Sequence, residues 1–241
     1  MRVAVLSDIH GNLHALEAVL ESVAREAPDE IWCLGDLVGY GPRPNRCCAL
    51  VAERADVCLI GNHDLAVLGR LDVDVFSPEA AESARWTAEV LEPAARAYLE
   101  KLGPQGEREG VGLYHASPRD PVWEYVLSPD VARASLEAAS QELVVVGHSH
   151  VALRYALAEG VLETAPDLTE VALEPGARRL LNPGSVGQPR DGDARAAWLL
   201  LDLERRQAVF RRVPYAVGRT QEEIRERGLP EGLAARLAFG I

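Results

Sequence analysis

Residues 3–12 read VAVLSDIHGN, a short apolar run that leads into two polar residues capable of chemistry, Asp8 and His10. Apolar residues then recur at helical spacing from Leu13 to Val23, which predicts an amphipathic helix. A strand, a polar loop and a helix therefore follow one another at the start of the chain. Repetition of this unit would favour a layered α/β fold with buried strands.

The same unit recurs further along the chain, and each predicted strand ends on polar residues. Turn-forming glycine and proline residues separate these strands from the helical stretches that follow them. The further strands of this type, each with its polar residues, are 31–34 with Asp36, 57–60 with Asn62, His63 and Asp64, 111–114 with His115, and 143–146 with His148 and His150.

The remainder of the chain has a different pattern. Residues 151–157, 161–164, 196–203 and 207–213 read as strands, joined in pairs by turns at 159–160 and 204–205. We expect them to form a second, more antiparallel sheet, followed by a short helical tail from about Thr220. Because no long linker, internal repeat or low-complexity segment interrupts the chain, we expect one domain over residues 1–241.

Composition excludes several classes of function. Acidic residues outnumber basic ones by 37 to 25, giving a net charge of −12, which argues against general nucleic-acid binding. No apolar stretch approaches the roughly 20 residues needed to cross a bilayer, and the first apolar run meets Asp8 too early for a signal peptide. We therefore expect a cytoplasmic protein with no membrane partner. Its four cysteines lack the paired spacing of a zinc site.

Five of the six histidines, all but His14, follow the ends of predicted strands. Loops at the carboxyl ends of strands in an α/β sheet meet at one crevice, so these side chains should converge there. The candidates are more than one ion would take, whereas two ions sharing a carboxylate would use them all. The alternative is that they only cap helices and strand ends. The candidate ligands are Asp8, His10, Asp36, Asn62, His115, His148 and His150.

The order of these polar residues resembles that of a known family. The blocks Asp8-x-His10, 35–39 (GDLVG), 61–64 (GNHD), His115 and 147–150 (GHSH) are similar, in order, to the motifs of calcineurin-like metallophosphoesterases. Each block alone is weak, but five ordered blocks, each after a predicted strand, are a specific signal. Residues 39–42, 182–185 and 188–192 further resemble the small, single-domain bacterial and archaeal phosphodiesterase branch.

The resemblance implies an α/β fold, a β-sandwich of two mixed sheets flanked by helices, and two divalent metal ions per chain. One ion would be held by Asp8, His10 and His150, the other by Asn62, His115 and His148, with Asp36 between them. Mixed nitrogen and oxygen ligands suit Mn, Fe, Zn, Co or Ni. A hydroxide bridging the ions would attack phosphorus, and His63, oriented by Asp64, would act as general acid. The alternative for His63 is a structural histidine paired with Asp64.

The implied activity is hydrolysis of a small phosphorylated substrate. Two divalent ions carry about four positive charges, and Asp8, Asp36 and a bridging hydroxide together carry about three negative charges. The net charge of the centre is therefore about +1. That charge suits the single negative charge of a phosphodiester. A phosphomonoesterase, a dinucleoside-polyphosphate hydrolase and a scaffold that has lost catalysis remain alternatives. The sequence also leaves the oligomeric state open, a homo-oligomer included.

Several residues near the motifs are candidates for substrate contact. Arginines bind phosphate oxygens well, and aromatic and amide side chains can orient a leaving group. The alternative for Asn12 is a helix N-cap, and for the others a solvated surface or packing role. His14 is expected to line the pocket at most. The candidate substrate contacts are Asn12, Tyr40, Arg43, Arg119 and Arg190, with Trp123 beside them.

Overall fold

A computed structural model of the chain describes residues 1–164 and 169–241. Two mixed sheets of six strands each lie face to face, and helices flank them. This arrangement confirms the predicted sandwich. The strands are β1 Arg2–Leu6, β2 Glu30–Cys33, β3 Val57–Cys58, β4 Gln105–Arg108, β5 Val111–Tyr114, β6 Leu143–Val146, β7 Ala152–Ala156, β8 Val161–Thr164, β9 Glu170–Ala172, β10 Arg179–Pro183, β11 Ala196–Asp202 and β12 Gln207–Val213.

The helices of the described residues cover the outer faces of the sandwich. Helices α4 and α6 begin at a serine followed by proline, a sequence typical of helix starts, and Ser77 and Ser128 each accept the backbone N–H of the third helical residue. None of the described helices is long and apolar enough to cross a membrane. The α-helices are α1 Leu13–Glu26, α2 Pro44–Arg54, α3 Asn62–Val67, α4 Pro78–Val90, α5 Pro93–Leu99, α6 Pro129–Ala138, α7 Val217–Glu226 and α8 Glu231–Ala235.

The first sheet has the strand order β3-β2-β1-β11-β12-β9, and the second has β4-β5-β6-β10-β7-β8. The prediction that the later strands form a sheet of their own is therefore wrong. Strand β11 pairs antiparallel with β1, whereas β10 pairs parallel with β6. The hairpin turns were visible in the sequence, but the partner of a strand from a distant part of the chain is set by tertiary packing. The predicted helical tail exists, as α7 and α8.

Side-chain alternation along the strands builds the layers. Val3 and Val5 of β1 face the second sheet and pack with residues such as Leu113 and Val145 in the core between the sheets. Ala4 and Leu6, on the other face of β1, pack under the helices. Strands buried on both faces explain the nearly continuous apolar runs. The sandwich thereby fixes the ends of β1 and β2 in one sheet, and of β5 and β6 in the other, at the same edge.

Candidate metal centre

The loops after β1, β2, β5 and β6 bring six of the predicted ligands together, and the start of α3 adds the seventh. Their donor atoms form two groups, and Asp36 belongs to both. Within each group, all the donor atoms lie within 4.8 Å of one another. The seventh, Asn62, lies beside the second group, with its Oδ1 3.1 Å from His115 Nε2. The first group contains Asp8, His10, Asp36 and His150, and the second contains Asp36, His115 and His148. The cluster could therefore hold two ions, with Asp36 available to both.

The histidines of the cluster are oriented by backbone carbonyl oxygens. Each ring uses one nitrogen for this contact, and a carbonyl oxygen only accepts, so that nitrogen carries the proton. The other nitrogen of a neutral ring then presents a lone pair, as metal-binding histidines commonly do. The contacts are His10 Nδ1 to Val38 O at 3.0 Å, His115 Nδ1 to Leu34 O at 2.9 Å, His150 Nδ1 to Gln188 O at 2.7 Å and His148 Nε2 to Trp123 O at 3.2 Å.

Two features show that this donor set fits a cation. The Nε2 atoms of His10 and His150 lie 3.0 Å apart, and with both Nδ1 protons given to carbonyls, two lone pairs face each other. Asp36 Oδ2 is buried and has no hydrogen-bond partner among the described residues. It lies 3.5 Å from His10 Nε2 and 3.6 Å from His115 Nε2. Acceptors that converge without a donor are satisfied by a metal ion.

The pKa values of the buried carboxylates and histidines also fit a metal site. Burial raises the pKa of Asp8 to about 7, and burial together with the charge of Asp64 raises the pKa of Asp36 well above its ordinary value. Burial also lowers the pKa of His10 and His150 well below the usual range. A divalent ion between the carboxylates would stabilise their charged forms, and the neutral imidazoles would present lone pairs to the same ion.

The backbone at the centre adopts a conformation that side chains other than glycine rarely take. Asp8, Asp36 and His148 have φ of 55°, 53° and 62°, and His10 and His150 have 49° and 59°. Such left-handed residues cost free energy and cluster at functional sites, where the surrounding structure holds them. Five of the seven predicted ligands share this conformation. Their loops are therefore built to aim side chains at one point rather than to minimise local strain.

Glycine is required next to the shared carboxylate because of close approach. A Cβ atom at Gly61 would lie 2.0 Å from Asp36 Oδ1 and 2.6 Å from His115 Cε1. At Gly147 it would lie 2.0 Å from Ser7 Oγ and 3.1 Å from Asp8 Oδ2. Both glycines stand directly before predicted ligands in the motif blocks, so those blocks combine donors with the space the donors need.

His63 lies within the cluster of rings, but Asp64 does not orient it. Asp64 Oδ1 accepts the N–H of Val38 and its Oδ2 accepts the N–H of Gly61, each at 3.0 Å. Successive residues of a helix point in different directions, so neighbours in sequence do not face each other. The predicted pairing of His63 with Asp64 is therefore wrong, both as an orienting contact and as a structural pair. Asp64 instead braces the two loops that carry Asp36 and Asn62.

The His63 ring is held by other rings. It lies 4.9 Å from the ring of His10 and 4.4 Å from that of Tyr40, centroid to centroid. Its Nδ1 is buried and has no hydrogen-bond partner within the part of the chain that the structure describes. Burial, and then the charge of Arg190, lower its pKa well below the usual value. The backbone N–H of His63 donates to Asp36 Oδ1 at 2.9 Å, which links the start of α3 to the loop that carries Asp36.

Arg190 and Tyr40 lie at the edge of the centre. Arg190 donates to the Tyr40 hydroxyl at 3.3 Å and to Gln188 Oε1 at 2.9 Å, and the Tyr40 ring lies 4.6 Å from that of His10. Both acceptors of Arg190 are neutral. Among residues 1–164 and 169–241 no carboxylate lies within 4 Å of its guanidinium, so its charge interacts with the buried carboxylates of Asp8 and Asp36 only over a longer distance. Arg190 is thus placed to attract an anion.

The other candidate substrate contacts are engaged elsewhere. Arg43 forms a two-pronged ion pair with Glu223 of α7, at 2.7 and 2.8 Å, and Arg119 lies 3.4 Å from Glu124. Asn12 caps α1, accepting the N–H of Ala15, and its amide donates to Gly187 O and the Tyr215 hydroxyl. Its polar atoms are occupied, so the geometry supports the cap. His14 contacts Thr220 of α7 at 3.0 Å.

Several residues that support the ligand loops have no role assigned to them from the sequence. Ser185 donates to the carbonyl oxygen of Asp8 at 2.8 Å, and Gln188 provides the carbonyl for His150. Asn182 donates to Gly147 O at 2.7 Å and to Ser149 Oγ at 3.0 Å. Their signal was the resemblance of residues 182–185 and 188–192 to a family branch, which named no role for them. The structure shows that they brace the loops of Asp8, His148 and His150.

Comparison with known proteins agrees with this geometry. A family model described as the calcineurin-like phosphoesterase superfamily domain matches residues 1–206. An uncharacterized protein of Methanocaldococcus jannaschii, MJ0912, is 37% identical over 99% of this chain and 98% of its own length. Phosphodiesterase YfcE of Escherichia coli is 27% identical over 84% of this chain and 88% of its own length.

A solved structure is similar over the whole chain. The metallophosphoesterase from Sphaerobacter thermophilus has a TM-score of 0.91 and 41% sequence identity, covering 100% of this chain and 99% of its own. The fold, the family model and the cluster of histidines and carboxylates therefore agree. This chain belongs to the calcineurin-like phosphoesterase superfamily.

Proposed function

We propose that the protein is a dinuclear metal-dependent phosphodiesterase. The observation that carries the proposal is the pair of donor groups that share Asp36, because two ions joined by one carboxylate form the clamp used for in-line displacement at phosphorus. Ions bound there would activate water and offset the charge that develops on the phosphate oxygens. Similarity over 84% of the chain to a protein named as a phosphodiesterase supports the diester.

The protein's own residues at the centre would each have a separate role. Asp8, His10 and His150 hold one end of the site, Asn62, His115 and His148 the other, and their buried positions keep them fixed before substrate arrives. Arg190 would bind a non-bridging phosphate oxygen and orient the ester. His63, as general acid, would give a proton from its ring to the leaving oxygen. Tyr40 would keep Arg190 and His63 in place through its hydroxyl and its ring.

The lowered pKa of His63 bears on its role. In the free protein, burial and Arg190 disfavour its protonated form. A bound phosphate anion beside Arg190 would oppose that charge and favour the protonated ring, so substrate itself would charge the general acid.

A phosphomonoesterase is the second candidate, and Arg190 is the observation that favours it. About one positive charge at the ions suits a diester anion, but an arginine without an ion-pair partner among the described residues adds about one more, which suits the dianion of a monoester. We favour the diester because both hydrogen bonds of Arg190 go to neutral groups that remain in place, so it need only bind one oxygen. A dinucleoside-polyphosphate hydrolase would share the same centre.

The test compares bis-nitrophenyl phosphate and mono-nitrophenyl phosphate on one metal-loaded sample. We expect a higher kcat/KM for the diester at neutral pH. A clear preference for the monoester would contradict the diester proposal and support the second candidate. Failure to hydrolyse either ester after loading with a panel of divalent metals would contradict the phosphoesterase proposal as a whole.

A further inference from the structure

Three aromatic rings lie beside the candidate centre, on the side of His63 and His148. Phe76 lies 5.0 Å from the His63 ring, and Trp123 lies 5.2 Å from Phe76, centroid to centroid. Tyr125 stacks on His148 at 4.1 Å, with an angle of 20° between the ring planes. The rings come from two loops, one before α4 and one before α6. Together they extend the site from the predicted catalytic groups toward solvent.

These rings are not buried as core residues are. Tyr125 is 46% exposed, and Phe76 and Trp123 are half-buried. Leu127, two residues after Tyr125, and Val75, directly before Phe76, are 51% and 64% exposed. Exposed large apolar residues next to an active centre usually mark a binding surface rather than a packing defect. No described residue accepts a hydrogen bond from the Trp123 indole N–H or the Tyr125 hydroxyl. The surface therefore offers flat faces together with polar atoms that are available to a ligand.

The loop that carries Trp123 is fixed, so the surface is formed before a ligand binds. The Trp123 N–H donates to Asp120 Oδ1 at 3.1 Å, and Ser117, which is fully buried, donates to Glu124 at 2.6 Å. The carbonyl oxygen of Trp123 contacts His148 Nε2 at 3.2 Å. One loop thus orients a predicted metal ligand with its backbone and presents an aromatic side chain beside it. A rigid support of this kind lowers the entropy cost of binding.

Position and chemistry together identify the group that would bind here. His63 is the proposed proton donor to the leaving oxygen, so the leaving group lies on its side of the phosphate, next to Phe76. A flat ring attached to phosphate through a short polar linker would place its face on Trp123 or Tyr125, and its edge acceptors near their N–H and hydroxyl. Nucleoside bases have this shape, and base stacking on aromatic side chains is strong.

We propose that Phe76, Trp123 and Tyr125 form a subsite for the base of a nucleoside leaving group, which makes nucleotide-containing phosphodiesters the substrate class. This inference rests on the proposed function, since it assumes that phosphate binds at the dinuclear centre. The three rings act as specificity-determining residues. They discriminate between leaving groups without taking part in bond making or breaking.

Calorimetry on metal-loaded protein tests the subsite without relying on turnover. Adenosine 5′-monophosphate and ribose 5-phosphate carry the same phosphate and sugar and differ in the base, and released phosphate is assayed to confirm that neither is consumed. We expect the nucleotide to bind about tenfold more tightly or better, the usual gain from one stacked base. The Trp123→Leu, Tyr125→Leu double variant should lose this difference and keep its affinity for ribose 5-phosphate.

Two control variants distinguish loss of the subsite from a general loss of folding or of metal binding. Phe239→Leu removes another exposed aromatic ring, 65% exposed at the end of the chain, and should keep the preference. Trp123→Phe with Tyr125→Phe keeps both flat faces and should retain most of it. Metal content is measured on every variant, because Trp123 and Tyr125 both contact His148.

The outcomes are distinct. Equal affinity of the wild-type protein for both ligands would overturn the subsite while leaving the phosphodiesterase proposal standing, if the same sample hydrolyses bis-nitrophenyl phosphate. A preference that survives in the double leucine variant would show that these rings do not bind the base. Binding of neither ligand, together with no hydrolysis, would overturn the proposed function as well.

Discussion

Replacing Arg190 by alanine removes from the edge of the candidate centre a positive charge that has no ion-pair partner among the described residues. Its guanidinium lies 5.8 Å from the centroid of the Tyr40 ring and donates to neutral oxygen atoms. No ion pair of the described residues has to be broken, so the variant should fold normally. The expected loss falls on substrate binding and on the transition state, where charge develops on the phosphate oxygens.

The magnitude follows from the contact that Arg190 would make. A hydrogen bond from a charged donor contributes about 1.5–3 kcal/mol, which corresponds to a loss of about 10- to 150-fold in kcat/KM. Arg190 is partly exposed, so solvent screening favours the lower part of that range. We expect about 10- to 50-fold for bis-nitrophenyl phosphate. A monoester should lose more, because its second negative charge also depends on this cation.

The assay is steady-state hydrolysis at fixed metal content, with metal measured in each sample. Arg190→Lys keeps the charge but not the planar fork, so it should recover part of the activity. Arg205→Ala is the matched control, since Arg205 is 80% exposed in its side chain and lies 3.8 Å from Asp202 at the β11–β12 turn. A change of less than about twofold in Arg190→Ala would refute the phosphate-binding role inferred for this residue.

Three other substitutions test separate parts of the site. His63→Ala should slow hydrolysis of alkyl esters by about 10²–10⁴-fold and of nitrophenyl esters much less, because nitrophenolate leaves without a proton; equal losses would remove His63 from the acid role. Gly61→Ala should abolish tight metal binding, because its Cβ would meet the shared carboxylate of Asp36, whereas Gly218→Ala, which has nothing within 4 Å, should bind normally in equilibrium dialysis. Asp64→Asn should lower the free energy of unfolding by about 1–3 kcal/mol in denaturant titrations, because an amide accepts only one of the two backbone N–H groups; an unchanged stability would contradict the bracing role.

The sequence predicts the parts of this protein that are set locally. Strand β1, helix α1 and the cap serines of α4 and α6 follow from periodicity and capping signals, and the hairpin between β11 and β12 from its turn. The ligand positions follow from the polar residues at strand ends, because a parallel sheet brings those ends to one edge.

Several contacts between particular side chains and strands could not be predicted from the sequence. The pairing of β11 with β1 depends on how two sheets pack, and no local signal encodes it. The pairing of His63 with Asp64 was predicted from adjacency in sequence and failed because neighbours on a helix point apart. Arg43 was a candidate for phosphate until the structure showed its ion pair with Glu223, a residue of the tail that only folding brings near.

Metal stoichiometry tests the central claim, two ions sharing Asp36, most directly. Elemental analysis of loaded protein should find close to two divalent ions per chain in the wild type. It should find close to one in His148→Ala, because the group of Asp8, His10, Asp36 and His150 stays intact. Asp36→Asn should lose most of both ions. One ion or none per wild-type chain, or an Asp36→Asn variant that still holds two, would contradict the account.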